Sequence, residues 1–228
     1  MSEPAKVFVN SVSVAGRLDE LGLNETTLVE AVLYGLQYRL GATANDPKAS
    51  LGMTVWGKVT RGLRDRLILE GWSAETDRGF EMTVHPGREY AISVAAGEWD
   101  TGIEGGNPST SSEKGPVTRE AVERSEQASF KGIDPQQDWP ADETKPPPHH
   151  IWMLLYHADK KRQEIRIELS LPAGMNSANY VNRWHERIIL AAQPFGAPPP
   201  GLQVNKPSDP SASGAGIDVP VDKKSKSA

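Results

Sequence analysis

The sequence predicts an α+β fold: an antiparallel sheet of about four to five strands, made from two hairpins and packed by N-terminal and C-terminal helices. Three observations predict it. Residues 151–172 read as a hairpin, because Ile165, Ile167, Leu169 and Leu171 alternate with Glu164, Arg166, Glu168 and Ser170, the period of a half-buried strand. The preceding arm, 151–156, is apolar at every position and so should be covered on both faces. Two amphipathic stretches stand ahead of the strands and one follows them, the segregated order of an α+β chain.

The elements follow in order. Residues 7–14 alternate loosely and suggest a short edge strand. Asn24 is a good N-cap with Glu25 in the first turn, and Leu28, Val29, Val32, Leu33 and Leu36 make one broad stripe to about Leu40. A second helix should run from about Ser50 or Met53 to Glu70 on Trp56, Val59, Leu63 and Leu67. Gly71-Trp72 should stop it at the C′ position. Residues 80–85 and 89–96 form the first hairpin around Pro86-Gly87-Arg88. Ala91, Ser93 and Ala95 leave one of its faces small enough for another segment to lie close.

Residues 97–116 hold five glycines, Asn107-Pro108 and a Ser/Thr run, so they read as a long irregular loop, functional or disordered. A short polar helix should follow from Thr118 to about Ala128, with Glu120 and Arg124 paired four residues apart. After the central hairpin, Tyr180, Val181, Trp184, Ile188 and Ile189 suggest a last helix over about 178–192. Residues 193–228, rich in Pro, Gly, Ser and Ala, read as a disordered tail. The domain reading is one α+β domain over 1–192, with an irregular insertion at about 97–150, and the tail after it.

Composition narrows the function classes. The chain has 228 residues, 37% of them hydrophobic, with 21 glycines and 18 prolines; globular domains run nearer 45–50% apolar, roughly. A net charge of −5 gives no global attraction to nucleic acid or an anionic membrane. The absence of cysteine excludes disulfides, thiolate zinc sites and cysteine nucleophiles. The first twenty residues lack the basic and apolar regions of a signal peptide, and no apolar run reaches membrane-spanning length. The expectation is a soluble, cytoplasmic protein.

The common catalytic motifs are missing: no GxGxxG after a strand, no GxxxxGK[ST], no GxSxG and no HExxH. Weaker constellations remain, each beside a plainer reading. Glu98, Asp100 and Glu104 in the glycine-rich loop could converge with Glu164 and Glu168, which share a strand face. A metal-dependent nuclease or phosphodiesterase of the PD-(D/E)xK type would use Glu98, Asp100, Glu164 and Glu168 to hold magnesium or manganese. Glu164-Ile165-Arg166 then stands as ExR where such enzymes carry a lysine. The plainer reading is a solvated strand face.

Lys58, Arg61 and Arg64 could form a phosphate-contacting helix face, or an ordinary solvated one, since Asp65 and Glu70 interleave. Lys114, in the Ser109–Pro116 stretch ahead of a helix, could help hold an anion. Trp99 and Trp139 sit in polar, irregular segments, as exposed anchors for a partner or as pins for their own loops.

The chain resembles a group of bacterial proteins with no established activity. The resemblance rests on Thr43-Ala44-Asn45, Trp56, Gly71-Trp72, Lys114-Gly115-Pro116-Val117-Thr118, residues 168–172 and residues 184–190, and spans roughly residues 20–192. It implies a bacterial source and no particular chemistry. The function expected is therefore that of a non-enzymatic binding or accessory protein of a bacterial multiprotein system, needing no cofactor and contacting another protein through Trp99, Trp139 and Lys114. The metal-dependent nuclease and the nucleic-acid-binding module are the alternatives.

Overall fold

In the computed structural model the chain is described over residues 4–43, 45–131 and 150–195. Four α-helices and a mixed eight-stranded sheet make up the α+β fold among these residues. The strands are β1 (Lys6–Phe8), β2 (Ser73–Asp77), β3 (Phe80–Val84), β4 (Tyr90–Ala96), β5 (His150–Asp159), β6 (Glu164–Met175), β7 (Val181–Ile189) and β8 (Gln193–Pro194). The helices are α1 (Ser11–Glu20), α2 (Glu25–Leu40), α3 (Lys48–Leu67) and α4 (Pro116–Lys131). No helix among the described residues is long and apolar enough to cross a membrane.

The sheet order is β1-β7-β6-β5-β4-β3-β2, with β8 on β6. It is not purely antiparallel: β4 and β5 run parallel, as do β1 and β7. The parallel pair follows from α4, because a strand–helix–strand crossover returns the chain in its original direction. The two expected hairpins are present as β3–β4 and β5–β6. β2 joins through a two-residue turn at Arg78-Gly79, both at positive φ, which suits the sheet's twist.

The sheet has eight strands rather than the four to five expected, with β2 and β8 among the additions, and two further elements change type. Residues 7–14 do not form one strand. β1 ends at Phe8, and the Asn10 carboxamide accepts from Ser13 N at 2.8 Å to start α1, whose Val14 and Leu18 enter the core.

The expected C-terminal helix is the strand β7. Its apolar spacing imitates a helix because the β6–β7 register shifts: Leu171 faces Glu186, Pro172 faces Trp184 and Met175 faces Val181, so His185 and Asn182 are passed over. Each extra residue turns the following side chain to the other face. Val181 and Trp184, three apart, therefore share one face of a strand. The expected tail lies outside the described residues except for β8, where Gln193 and Pro194 pair with Ile165 and Glu164.

Each sheet face has its own cover. Helices α1, α2 and α3 lie over Tyr90, Ile92 and Val94 of β4, Trp152 and Leu154 of β5, and Ile165, Ile167 and Leu169 of β6. On the other face, α4 sets Ala121 against Val84, Ala91 and Ile151, and Val122 against Ala95, Met153, Leu155, Val181 and Trp184. Small β4 residues let α4 approach closely.

Helices α2 and α3 touch at glycines. A Cβ on Gly35 would collide with Val59 Cγ2 and stand 2.7 Å from the Val59 backbone nitrogen. Gly35→Ala gains about 1 kcal/mol of helix propensity and forces a shift of α3 costing about 1–3 kcal/mol. Net destabilisation is expected in urea titration, whereas Gly16→Ala, with open space around its Cβ, should stabilise.

Candidate functional site

The site grows from the end of β4. Gly97 N donates to Tyr156 O at 2.9 Å, and His157 Nδ1 donates to Gly97 O at 3.1 Å, so the chain leaves the sheet along β5. Residues 98–115 then fold back over the face of β6 and β7. Glu98 N donates to Ser109 O, Thr110 N to Val181 O, Ser111 N to Ala96 O and Lys114 N to Asn179 O. The loop is thus tied by its backbone to Ala96, Asn179 and Val181.

Its floor is a buried charge cluster. Glu168 is 0% exposed and Arg187 3%. Arg187 Nη2 donates to Glu168 Oε2 at 2.6 Å and its Nε to Oε1 at 3.2 Å. Ser170 Oγ adds a bond to Oε1 at 2.8 Å. The loop completes the carboxylate's shell, since Gly102 N donates to Oε2 at 2.8 Å. Arg187 reaches upward as well, donating to Ile103 O at 3.1 Å and Gly106 O at 2.8 Å. One ion pair thus holds both sides of the loop, and removing one partner from such a pair costs about 3–5 kcal/mol.

Local sequence makes this fit possible. Gly102 has φ +71°, and a Cβ there would lie 2.7 Å from Arg166 Cβ, so glycine is required twice over. Asp100 Oδ2 accepts from Asn107 N at 3.1 Å, closing the loop's own turn. Trp184 Nε1 donates to Pro108 O at 2.8 Å from below. With the backbone so occupied, the loop holds Trp99 out to solvent at 69% exposure.

The sequence candidates separate accordingly. The acidic set is not brought together. Glu168 is spent on Arg187, Asp100 on its loop turn, and Glu164 lies 3.8 Å from both Arg162 and Arg166. Glu98 and Glu104 are exposed. No group of three His, Asp or Glu among the described residues is placed to hold a metal ion. Nor is the β6 charge row a solvated face: Arg166, Glu168 and Ser170 are buried beneath the loop. The alternation of charge imitates a solvated face because the cover, at Gly102, lies 66 residues away in the chain.

The basic row on α3 is largely engaged. Arg64 Nη2 donates to Glu81 Oε2 at 2.7 Å and to the carbonyls of Glu75 and Met82, tying α3 to β2 and β3. Arg61 pairs with Asp65 at 3.2 Å, and Lys58 lies 4.5 Å over the Tyr38 ring. Lys114 Nζ donates to Ser112 Oγ at 3.0 Å, and burial pushes its ammonium pKa down. Trp139 falls outside the described residues.

Arg187 is the anchoring residue that the sequence does not reveal, since only the strand register beside Glu168 brings the pair together. Trp184 is buried as its apolar spacing predicts, on a strand rather than a helix. No family model, curated protein or solved structure matches the chain in the three comparisons made.

Proposed function

We propose that this protein is a non-enzymatic binding or accessory protein that docks another protein on the 97–115 loop, with Trp99 as the anchor. One observation carries the reading: a tryptophan 69% exposed on a loop whose backbone is already bonded from both sides. Tryptophan is enriched among residues that dominate binding energy. A loop fixed before binding avoids the entropy of ordering it on contact. The plainer role for a loop tryptophan, pinning the loop onto its own domain, belongs to Trp184 from below. Among the described residues, the carboxylates a metal-dependent phosphodiesterase needs are apart, and the α3 arginines a nucleic-acid contact needs are paired, so neither alternative gains support.

The test is site-specific photocrosslinking at Trp99 and at Glu98 in the source cell, with the captured protein then purified for titration. Trp99→Ala should weaken that complex by about 2 kcal/mol, roughly thirtyfold. Its folding stability should stay within about 0.5 kcal/mol of the parent, as for other exposed substitutions. An affinity that Trp99→Ala leaves unchanged would sink the assignment.

A further inference from the structure

The sheet ends in two strands, β1 and β2, each with one edge unpaired among the described residues. They are finished differently. β2 carries Glu75 bonded to Arg88, and Asp77 beside Arg78, which also reaches Glu120 on α4. Charged edges of this kind resist pairing with another strand.

β1 has no such guard. From Val7 to Gly16 the chain contains no charged residue, although 24% of the whole is charged. Val7 is 37%, Val9 39% and Val12 81% exposed. Lys6, the one charge on β1, leans over its own Phe8 ring at 4.8 Å. Ala15 and Gly16 of α1 are exposed too, and a Cβ on Gly16 would meet nothing within 4 Å. A strand edge unpaired among the described residues and the charge-free first half of α1, with the exposed Asp19 next along that helix face, thus occur together at one end of the sheet.

We infer that this end is the interface of a two-fold homodimer. β1 pairs antiparallel with its counterpart, and the two sheets become one continuous sheet. Three features select a second copy as the occupant. An antiparallel edge is self-complementary about a two-fold axis, because each outward N–H meets an outward carbonyl of the same strand. Copies of net charge −5 repel, and an uncharged patch is where they approach at least cost. A two-fold at Val7 sets Lys6 opposite Phe8 of the partner subunit, so the ammonium keeps an aromatic face and meets no like charge. β1 is three residues long and supplies few backbone bonds, so Val12, Ala15 and Gly16 of α1 must contribute across the axis. An interface of this size gives a dissociation constant of about micromolar or weaker. The inference is independent of the role assigned to Trp99.

Sedimentation velocity of the full chain over a range of about 5–500 µM, which brackets that constant, is the test. A concentration-dependent monomer–dimer shift is expected. Val9→Lys and, separately, Val12→Lys should each remove it, while Ala74→Lys on the guarded β2 edge should leave it unchanged. All three positions are exposed, and thermal melts by circular dichroism verify that the variants fold. A protein monomeric throughout the range overturns the inference. So does a dimer that survives both Val9→Lys and Val12→Lys, or one that Ala74→Lys abolishes.

Discussion

Glu168→Ala should lower the unfolding free energy by about 3–5 kcal/mol, the cost of leaving one partner of a buried ion pair uncompensated. That is a large share of the 5–15 kcal/mol, roughly, that holds a domain together. The loss has two origins. Arg187, 3% exposed, keeps its charge with no carboxylate beside it, and Gly102 N loses its acceptor. Glu168→Gln should cost less, because an amide oxygen can still accept from Gly102.

The double variant Glu168→Ala/Arg187→Met separates the charge from the packing. It should be less damaging than the sum of the single changes, since it removes the buried charge along with its partner. It still strips the donor from Ile103 O and Gly106 O. Denaturant titrations of the four proteins close the cycle, and amide exchange at Gly102 should quicken first. A Glu168→Ala loss below about 1 kcal/mol would show the pair to be dispensable.

Trp184→Ala should be comparably severe, at about 3–5 kcal/mol for a large buried aromatic. The side chain is 5% exposed among Val122, Met153, Leu155 and Val181, and its indole N–H bonds to Pro108 O. Trp184→Phe keeps most of the ring and drops the bond, so it should cost about 1–2 kcal/mol. Thermal melts of the two variants measure the difference. If Trp184→Phe is as harmful as Trp184→Ala, the indole nitrogen's hold on the loop, rather than the packing, dominates.

Strong local periodicity was legible in the sequence. The α2 stripe, the β3–β4 turn and the β5–β6 hairpin are each written within about twenty residues, and each is present. What the sequence concealed depends on distant chain. β2 is polar because it is an edge, so no apolar alternation announced it. β7 was disguised by its bulges, which space Val181 and Trp184 like residues on a helix. The candidate site was half visible: the glycine-rich loop and Trp99 stood out, whereas two of the candidate acids, Glu168 and Asp100, are taken up by bonds that hold the loop. Glu168 on β6 could not be recognised as buried until the loop from β4 was laid over it and Arg187 was placed beside it.

The β1–β7 pairing sets an order of events. Phe8 lies against Ile188, so the earliest of the described strands waits for one of the latest of them before it gains a neighbour. The parallel β4–β5 contact closes another long excursion, joining Tyr90 to His150. Such distant pairings must overcome loop-closure entropy before they return any stabilisation, and they slow folding. Refolding should therefore proceed from α2, α3 and the β2–β4 meander, with the N-terminal strand docking last. A chain arrested on the ribosome before β7 emerges would hold Val7 and Val9 without a sheet to join, a state in which a chaperone has most to protect.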